Sequence, residues 1–190
     1  MDQEIVTIVS GLPRSGTSMM MKMLEAGGMP VLVDNIRTAD EDNPKGYYEF
    51  ERVKKIEQDQ AWLPEARGKV VKMVAALLKH LPAEYDYKIV FMHRDMGEIL
   101  ASQRQMLVRR GKPTDTIGDG RMAELFGRHL TQIESWLAGQ PNMQVLYVHY
   151  SDVLAAPAHE AERINHFLGD SLDVEKMVAA VDPALYRQRR

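Results

Sequence analysis

Apolar residues in this chain follow two rhythms that take turns along its length. Largely apolar, β-rich runs stand at 6–9, 69–73, 88–92 and 144–148, each flanked by polar or turn-forming residues. Short runs rich in apolar β-branched residues suit a strand buried on both faces. Val31-Leu32-Val33 is a shorter candidate of the same kind. Between these runs the spacing changes to that of helices. A helix over 19–26 stops at Gly27-Gly28. Asp95 and Glu98 form a capping box that opens a helix running to about Arg109. Apolar residues at 122, 125, 126, 130, 133, 136 and 137 predict a helix over 122–137. Two more helices are expected over 159–168 and 174–180. Residues 72–82 read as a strand end followed by a helix that stops at Pro82. Strands alternating with helices predict an α/β, three-layer fold, with a central parallel sheet of about four or five strands flanked by helices. Nothing divides the chain, so residues 1–190 are expected to form a single domain. In such sheets ligands sit beyond the carboxyl ends of the strands.

Composition narrows the classes of function. The 190 residues are 45% hydrophobic and 27% charged, enough for one continuous core. A formal charge of -3 argues against a nucleic-acid partner. No run approaches the roughly 18 apolar residues of a membrane span. Met1-Asp2-Gln3-Glu4 is acidic and leads straight into a strand, unlike a signal peptide, so a cytoplasmic location is expected. The chain has no cysteine, and its six histidines lack His-x-x-x-His spacing. No metal site is therefore predicted. Two segments, 34–47 with its Asn43-Pro44-Lys45-Gly46 turn and 111–120 with Lys112-Pro113, lack periodicity. They are either covers for an acceptor site or plain surface loops.

The chemistry concentrates behind the first strand, in Gly11-Leu12-Pro13-Arg14-Ser15-Gly16-Thr17-Ser18. Two glycines five apart, opening into a helix, bring backbone N–H groups and the positive end of the helix dipole onto one anion. The alternative is an ordinary strand-to-helix turn, which also uses glycine and serine. Gly-x-x-x-x-Gly is the frame of a Walker A loop, but Thr17 stands where that motif has lysine. The cation lies inside the loop instead, at Arg14. Lys72 and Arg94 fall at the ends of two other predicted strands.

Pro13-Arg14-Ser15-Gly16-Thr17-Ser18 resembles the 5'-phosphosulfate loop of the sulfotransferases that use 3'-phosphoadenosine 5'-phosphosulfate (PAPS), whose loop carries Arg or Lys at the place of Arg14. Phe91-Met92-His93-Arg94-Asp95-Met96, with Ser102 eight residues beyond Arg94, is similar to that family's 3'-phosphate motif, which often has Pro where Met96 stands. Lys72 and the Tyr150-Ser151-Asp152-Val153 segment, with Ser151 in place of the usual Glu, follow the family's order. The resemblance spans roughly residues 5–157 and implies a P-loop-type fold. It also implies transfer of a sulfuryl group from PAPS to a hydroxyl or amine, leaving adenosine 3',5'-bisphosphate.

On that resemblance Arg14 and the backbone of Ser15, Gly16, Thr17 and Ser18 hold the 5'-phosphosulfate and stabilise the leaving oxygen. Arg94 and Ser102 hold the 3'-phosphate. Lys72 steadies the sulfonate or the acceptor, or else is a solvated strand-end lysine. No Mg²⁺ is called for, because a sulfuryl group carries less charge than a phosphoryl group. Glu49, in a Gly-aromatic-Glu segment entering a helix, is the first candidate for the general base. His80, in Lys79-His80-Leu81-Pro82, is the second. The family's C-terminal Arg-Lys-Gly loop is missing, and Arg187-Gln188-Arg189-Arg190 is the candidate replacement. Arg104, Arg109, Arg110 and Lys112 form a basic cluster, either a hold for an anionic acceptor or a solvated helix face. The expected partner is a small-molecule or glycan acceptor. The other readings are a degenerate P-loop phosphotransferase or kinase and a non-catalytic nucleotide-binding module.

Overall fold

The computed structural model describes residues 4–34, 36, 48–113 and 118–182. Four strands form one sheet: β1 (Val6–Gly11), β2 (Val70–Lys72), β3 (Tyr87–His93) and β4 (Met143–His149). Their order is β2-β1-β3-β4 and every pairing is parallel. Around them lie α1 (Thr17–Ala26), α2 (Leu63–Ala66), α3 (Met96–Arg109), α4 (Asp119–Leu137), α5 (Tyr150–Ala155), α6 (Pro157–Leu168) and α7 (Val174–Ala180), with 3₁₀ turns at Glu51–Lys55 and Ala75–His80. This is the expected α/β architecture, helices on both faces of a parallel sheet.

The sheet's two faces build two halves of the core. Ile8, Val71, Ile89 and Phe91 pack with Trp62, Leu78, Ile133 and Leu137 on one face. Val9, Val70, Val90 and Met92 pack with the α1 methionines Met20, Met21 and Met23 and with Ile164 and Met177 on the other. All six residues of β1 are buried, as a central strand requires. The methionines at 19–23 are thus mostly packing residues.

Several boundaries move, for identifiable reasons. The segment at 31–33 is a single bridge between Val31 and Val70, not a strand. The adjoining backbone contacts to β2 are those of Pro30 and Leu32 with Val70. The helix expected before Pro82 is a short 3₁₀ segment, because extended residues at Val74 and Leu81 leave it six residues long. Helix α4 starts three residues early, and α6 two residues early with Pro157 in its first turn. Strand β4 is an edge strand, so Gln144, Tyr147 and His149 are exposed despite its continuous apolar run. The Asn43–Gly46 turn, residues 114–117 and Arg187–Arg190 lie outside the described residues. No helix among the described residues is long and apolar enough to cross a membrane.

Phe91 is fully buried in β3, against Tyr147 at 5.6 Å and His93 at 5.4 Å between ring centroids. Phe91→Ala is expected to cost about 3–5 kcal/mol, which lowers the melting temperature by on the order of 10 °C for a domain of this size. A calorimetric scan of the two proteins measures it.

Candidate active site

The loop after β1 is shaped by what cannot fit there. Gly11 leaves the sheet at φ 145°, where an added Cβ would come within 2.6 Å of the Met92 carbonyl oxygen and of Ser15 Oγ. Gly16, the residue before α1, has φ 101°, and a Cβ there would lie 2.5 Å from Cδ2 of Tyr150. Only glycine lets the chain pass both places. Between them the Ser15 N–H donates to the Leu12 carbonyl at 3.2 Å. Arg14 takes a left-handed φ of 73°, which costs energy for a residue with a Cβ.

The first intrahelical bond of α1 runs from the Met20 N–H to the Gly16 carbonyl at 3.1 Å. The amides of Thr17 and Ser18 therefore belong to the helix end that favours anions. Ser10 Oγ and Ser15 Oγ are buried beneath the loop without a hydrogen-bond partner. An oxyanion seated at the start of α1 suits this helix end.

The second block reaches the first directly. Arg14 Nε donates to Ser102 Oγ at 2.9 Å, across 88 residues of sequence. Ser102 is buried, roughly two turns into α3. Arg94 NH1 donates to the Arg14 carbonyl at 3.1 Å, so the strained loop residue is held at both its side chain and its backbone. The Arg94 guanidinium lies 4.4 Å above the Tyr150 ring, a cation–π distance. Its Nε donates to Glu98 Oε2 at 2.9 Å, both side chains being about nine-tenths buried. Burial pushes the Tyr150 phenol above its ordinary value, the nearby Arg94 charge opposing this.

Lys72, at the tip of β2, donates to Ser18 Oγ at 3.3 Å. It thus joins the loop, on the side away from Arg94. At the carboxyl end of the sheet hydrogen bonds thus join Arg14 with Ser102 and Arg94, and Lys72 with Ser18 at the start of α1. Ser15, Gly16 and Thr17 belong to this end through the backbone.

Glu49 is anchored differently. Its carbonyl accepts the Asp34 N–H at 3.2 Å, on the stretch that follows the Val31–Val70 bridge towards the carboxyl end of β2. Its carboxylate, 18% exposed, takes Lys54 Nζ at 3.2 Å. The preceding Tyr48 has a left-handed φ of 52° and donates its hydroxyl to Glu25 Oε2 at 2.5 Å. Burial first, then that carboxylate, raises the Tyr48 phenol well above its usual range. Glu49 therefore enters a 3₁₀ turn beside β2.

His80 ends its 3₁₀ turn two residues before Pro82, whose carbonyl accepts the Tyr87 hydroxyl at 2.9 Å. Tyr87 is the first residue of β3, so His80 heads towards the amino end of the sheet, opposite the loop. His93, next to Arg94, is held low by burial, while Glu134 at 3.3 Å pulls it up and the stacked His149 lowers it further. In the basic cluster Arg104 pairs with Asp119, which reduces its value as an anion hold. Among the described residues no group of three or more His, Asp or Glu is placed to hold a metal ion.

Two participants were not assigned from the sequence. Tyr150 lies under both Gly16 and Arg94, and no spacing rule could have placed it there. The sequence marks Glu98 as a capping residue. Its N–H does donate to Asp95 Oδ1 at 3.1 Å, but its carboxylate serves Arg94. The four-residue separation of Arg94 and Glu98 was the available signal.

The model of the sulfotransferase domain family matches residues 5–188. No curated protein matches the chain by sequence. Among solved structures, the chain is similar to the sulfotransferase domain of the olefin synthase of Synechococcus PCC 7002, with a TM-score of 0.58, 14% identity, and coverage of 98% of this chain and 80% of the other. It is also similar to sulfotransferase STF1 of Mycobacterium tuberculosis H37Rv (TM-score 0.58, 14% identity, 97% and 76% covered). Mouse sulfotransferase SULT7A1, solved with PAP, gives a TM-score of 0.57 at 17% identity, with 95% of this chain but 63% of the mouse chain covered. At such identities these structures bear on the fold; the family model, which takes in almost the whole sequence, decides the family. The chain belongs to the sulfotransferase domain family.

Proposed function

We propose that this chain transfers a sulfuryl group from PAPS to a hydroxyl or amine of a small-molecule or glycan acceptor. One observation carries the reading: the Arg14 side chain on Ser102, with Arg94 on the Arg14 carbonyl. Two segments suited to anions are thereby set side by side, which suits one ligand with a charged group at each end. A nucleotide phosphorylated at its 3' position and sulfated at its 5' phosphate has that form. The PAP in the structures of mouse SULT7A1 and of retinol dehydratase supports the same donor.

In this reading the amides of Gly16, Thr17 and Ser18 and the Arg14 guanidinium hold the 5'-phosphosulfate, while the Ser15 amide, expected to join them, is taken by the Leu12 carbonyl and shapes the loop. Arg94 and Ser102 hold the 3'-phosphate. When bound, the donor supplies an electrophilic sulfur whose bond to the bridging oxygen breaks as the acceptor oxygen or nitrogen attacks. Negative charge then grows on the bridging oxygen, and Arg14 with the loop amides stabilises it; one lost donor of this kind costs about 2.7–4 kcal/mol. Lys72, already on Ser18, steadies the sulfonate. Glu49 accepts the proton leaving the acceptor.

Thermal stability tests the donor. At 100 times its dissociation constant a ligand adds about 2.7 kcal/mol, on the order of 5–10 °C here. Adenosine 3',5'-bisphosphate is expected to raise the melting temperature by this amount and ATP with Mg²⁺ is not; the reverse pattern overturns the reading. Glu49→Gln is expected to slow sulfuryl transfer by about 10²–10⁴-fold with bisphosphate binding unchanged. Full activity in that variant removes Glu49 from the base role. Arg14→Ala is expected to lower kcat by on the order of 10²–10³-fold, measured as label transferred from PAPS.

A further inference from the structure

A carboxylate beside an anion site is an electrostatic liability, and Glu98 is one. Its side chain is 10% exposed and sits on the guanidinium that the proposed function assigns to the 3'-phosphate. There it cancels Arg94's charge and repels an incoming phosphate. What it supplies in return is geometry. Arginine has a long stem with many rotamers. Arg94 is fixed by groups from three elements: the Glu98 carboxylate of α3 at Nε, the Arg14 carbonyl of the loop at NH1, and the Tyr150 ring of α5 under its face.

Glu98 is itself fixed. Its N–H is bound by Asp95, the residue that caps α3 and directly follows Arg94. The side chain therefore leaves a defined first turn and meets Arg94 one turn back along the same helix start. A pair so buried is destabilised when one partner is removed, because the other charge is left without compensation.

We propose that Glu98 is a positioning residue of the nucleotide site: it presets the Arg94 guanidinium beside Ser102 and so sets the selectivity for a ligand bearing a 3'-phosphate. The inference rests on the donor assigned above. Glu98 touches no substrate in this account; it acts through Arg94. Its removal then affects ligands in proportion to their use of Arg94, and spares those held by the phosphosulfate loop alone.

Titration calorimetry with adenosine 3',5'-bisphosphate and with adenosine 5'-phosphate separates the possibilities. The unaltered protein is expected to prefer the bisphosphate; no preference overturns the donor assignment and this inference with it. Given that preference, Glu98→Ala is expected to weaken bisphosphate binding by about tenfold, the equivalent of one hydrogen bond to a charged group, and to leave adenosine 5'-phosphate binding unchanged. Glu98→Gln, which keeps an acceptor oxygen for Arg94 Nε, is expected to retain the larger part of the preference. An equal loss for both ligands makes Glu98 merely structural and overturns the proposal. A tighter bisphosphate complex shows that repulsion dominates and overturns it as well. Should Glu98→Ala fail to fold, Glu98→Asp withdraws the carboxylate by one methylene; an unchanged or increased preference in that variant contradicts the proposal equally.

Discussion

The site depends on the double hold on Arg14. Its side chain is bound by Ser102 and its carbonyl by Arg94, while its backbone occupies a left-handed conformation that a residue with a Cβ adopts at a cost. Strain of this kind persists only where the surroundings over-determine it. Here they do so from Arg94, just after β3, and from Ser102 within α3, some 80 to 88 residues further along the chain. The loop is therefore not a local motif placed on a scaffold. Its shape is set by tertiary contacts, and those contacts come from Arg94 and Ser102, in the segment proposed to hold the 3'-phosphate.

The parallel sheet makes that arrangement possible. β1 is central and β3 is its neighbour, so Gly11 and Arg94 leave adjacent strand ends on the same side. β2 on the other flank brings Lys72 to Ser18. The two glycines admit close packing, Gly11 against the Met92 carbonyl and Gly16 against Tyr150. Tyr150 then serves two neighbours at once, filling the space under Gly16 and supporting the Arg94 guanidinium. Cations thus converge where the helix dipole of α1 already favours negative charge, while the buried carboxylate of Glu98 limits how freely Arg94 moves.

Much of this was legible in the sequence, because the signals were local or periodic. The buried runs at 6–9, 69–73 and 88–92 became strands, and Gly11, Arg14 and Gly16 marked the loop by their spacing. Arg94 and Ser102 were paired through a family resemblance, and their meeting with Arg14 needed the fold. Short elements escaped notice: α2 and α5 are too brief for a 3.6-residue period to declare itself, and the helix expected after Glu49 is only the 3₁₀ turn at Glu51–Lys55. The continuous apolar run of β4 suggested burial on both faces, but nothing in it says that the strand lies at an edge. Tyr150 and Glu98 were missed as site residues for the same reason. Their roles are defined by what lies across from them, and local spacing carries no information about that. The Tyr48–Glu25 hydrogen bond that ties down the Glu49 segment is likewise a contact across the fold.

A crystal structure with adenosine 3',5'-bisphosphate tests the central claim most directly, that the two segments held together through Arg14 form one nucleotide site. The account predicts the 5'-phosphate on the amides of Gly16, Thr17 and Ser18 and the 3'-phosphate within hydrogen-bond distance of Arg94 and Ser102. Density for the nucleotide elsewhere, or with its 3'-phosphate away from Arg94, would contradict it.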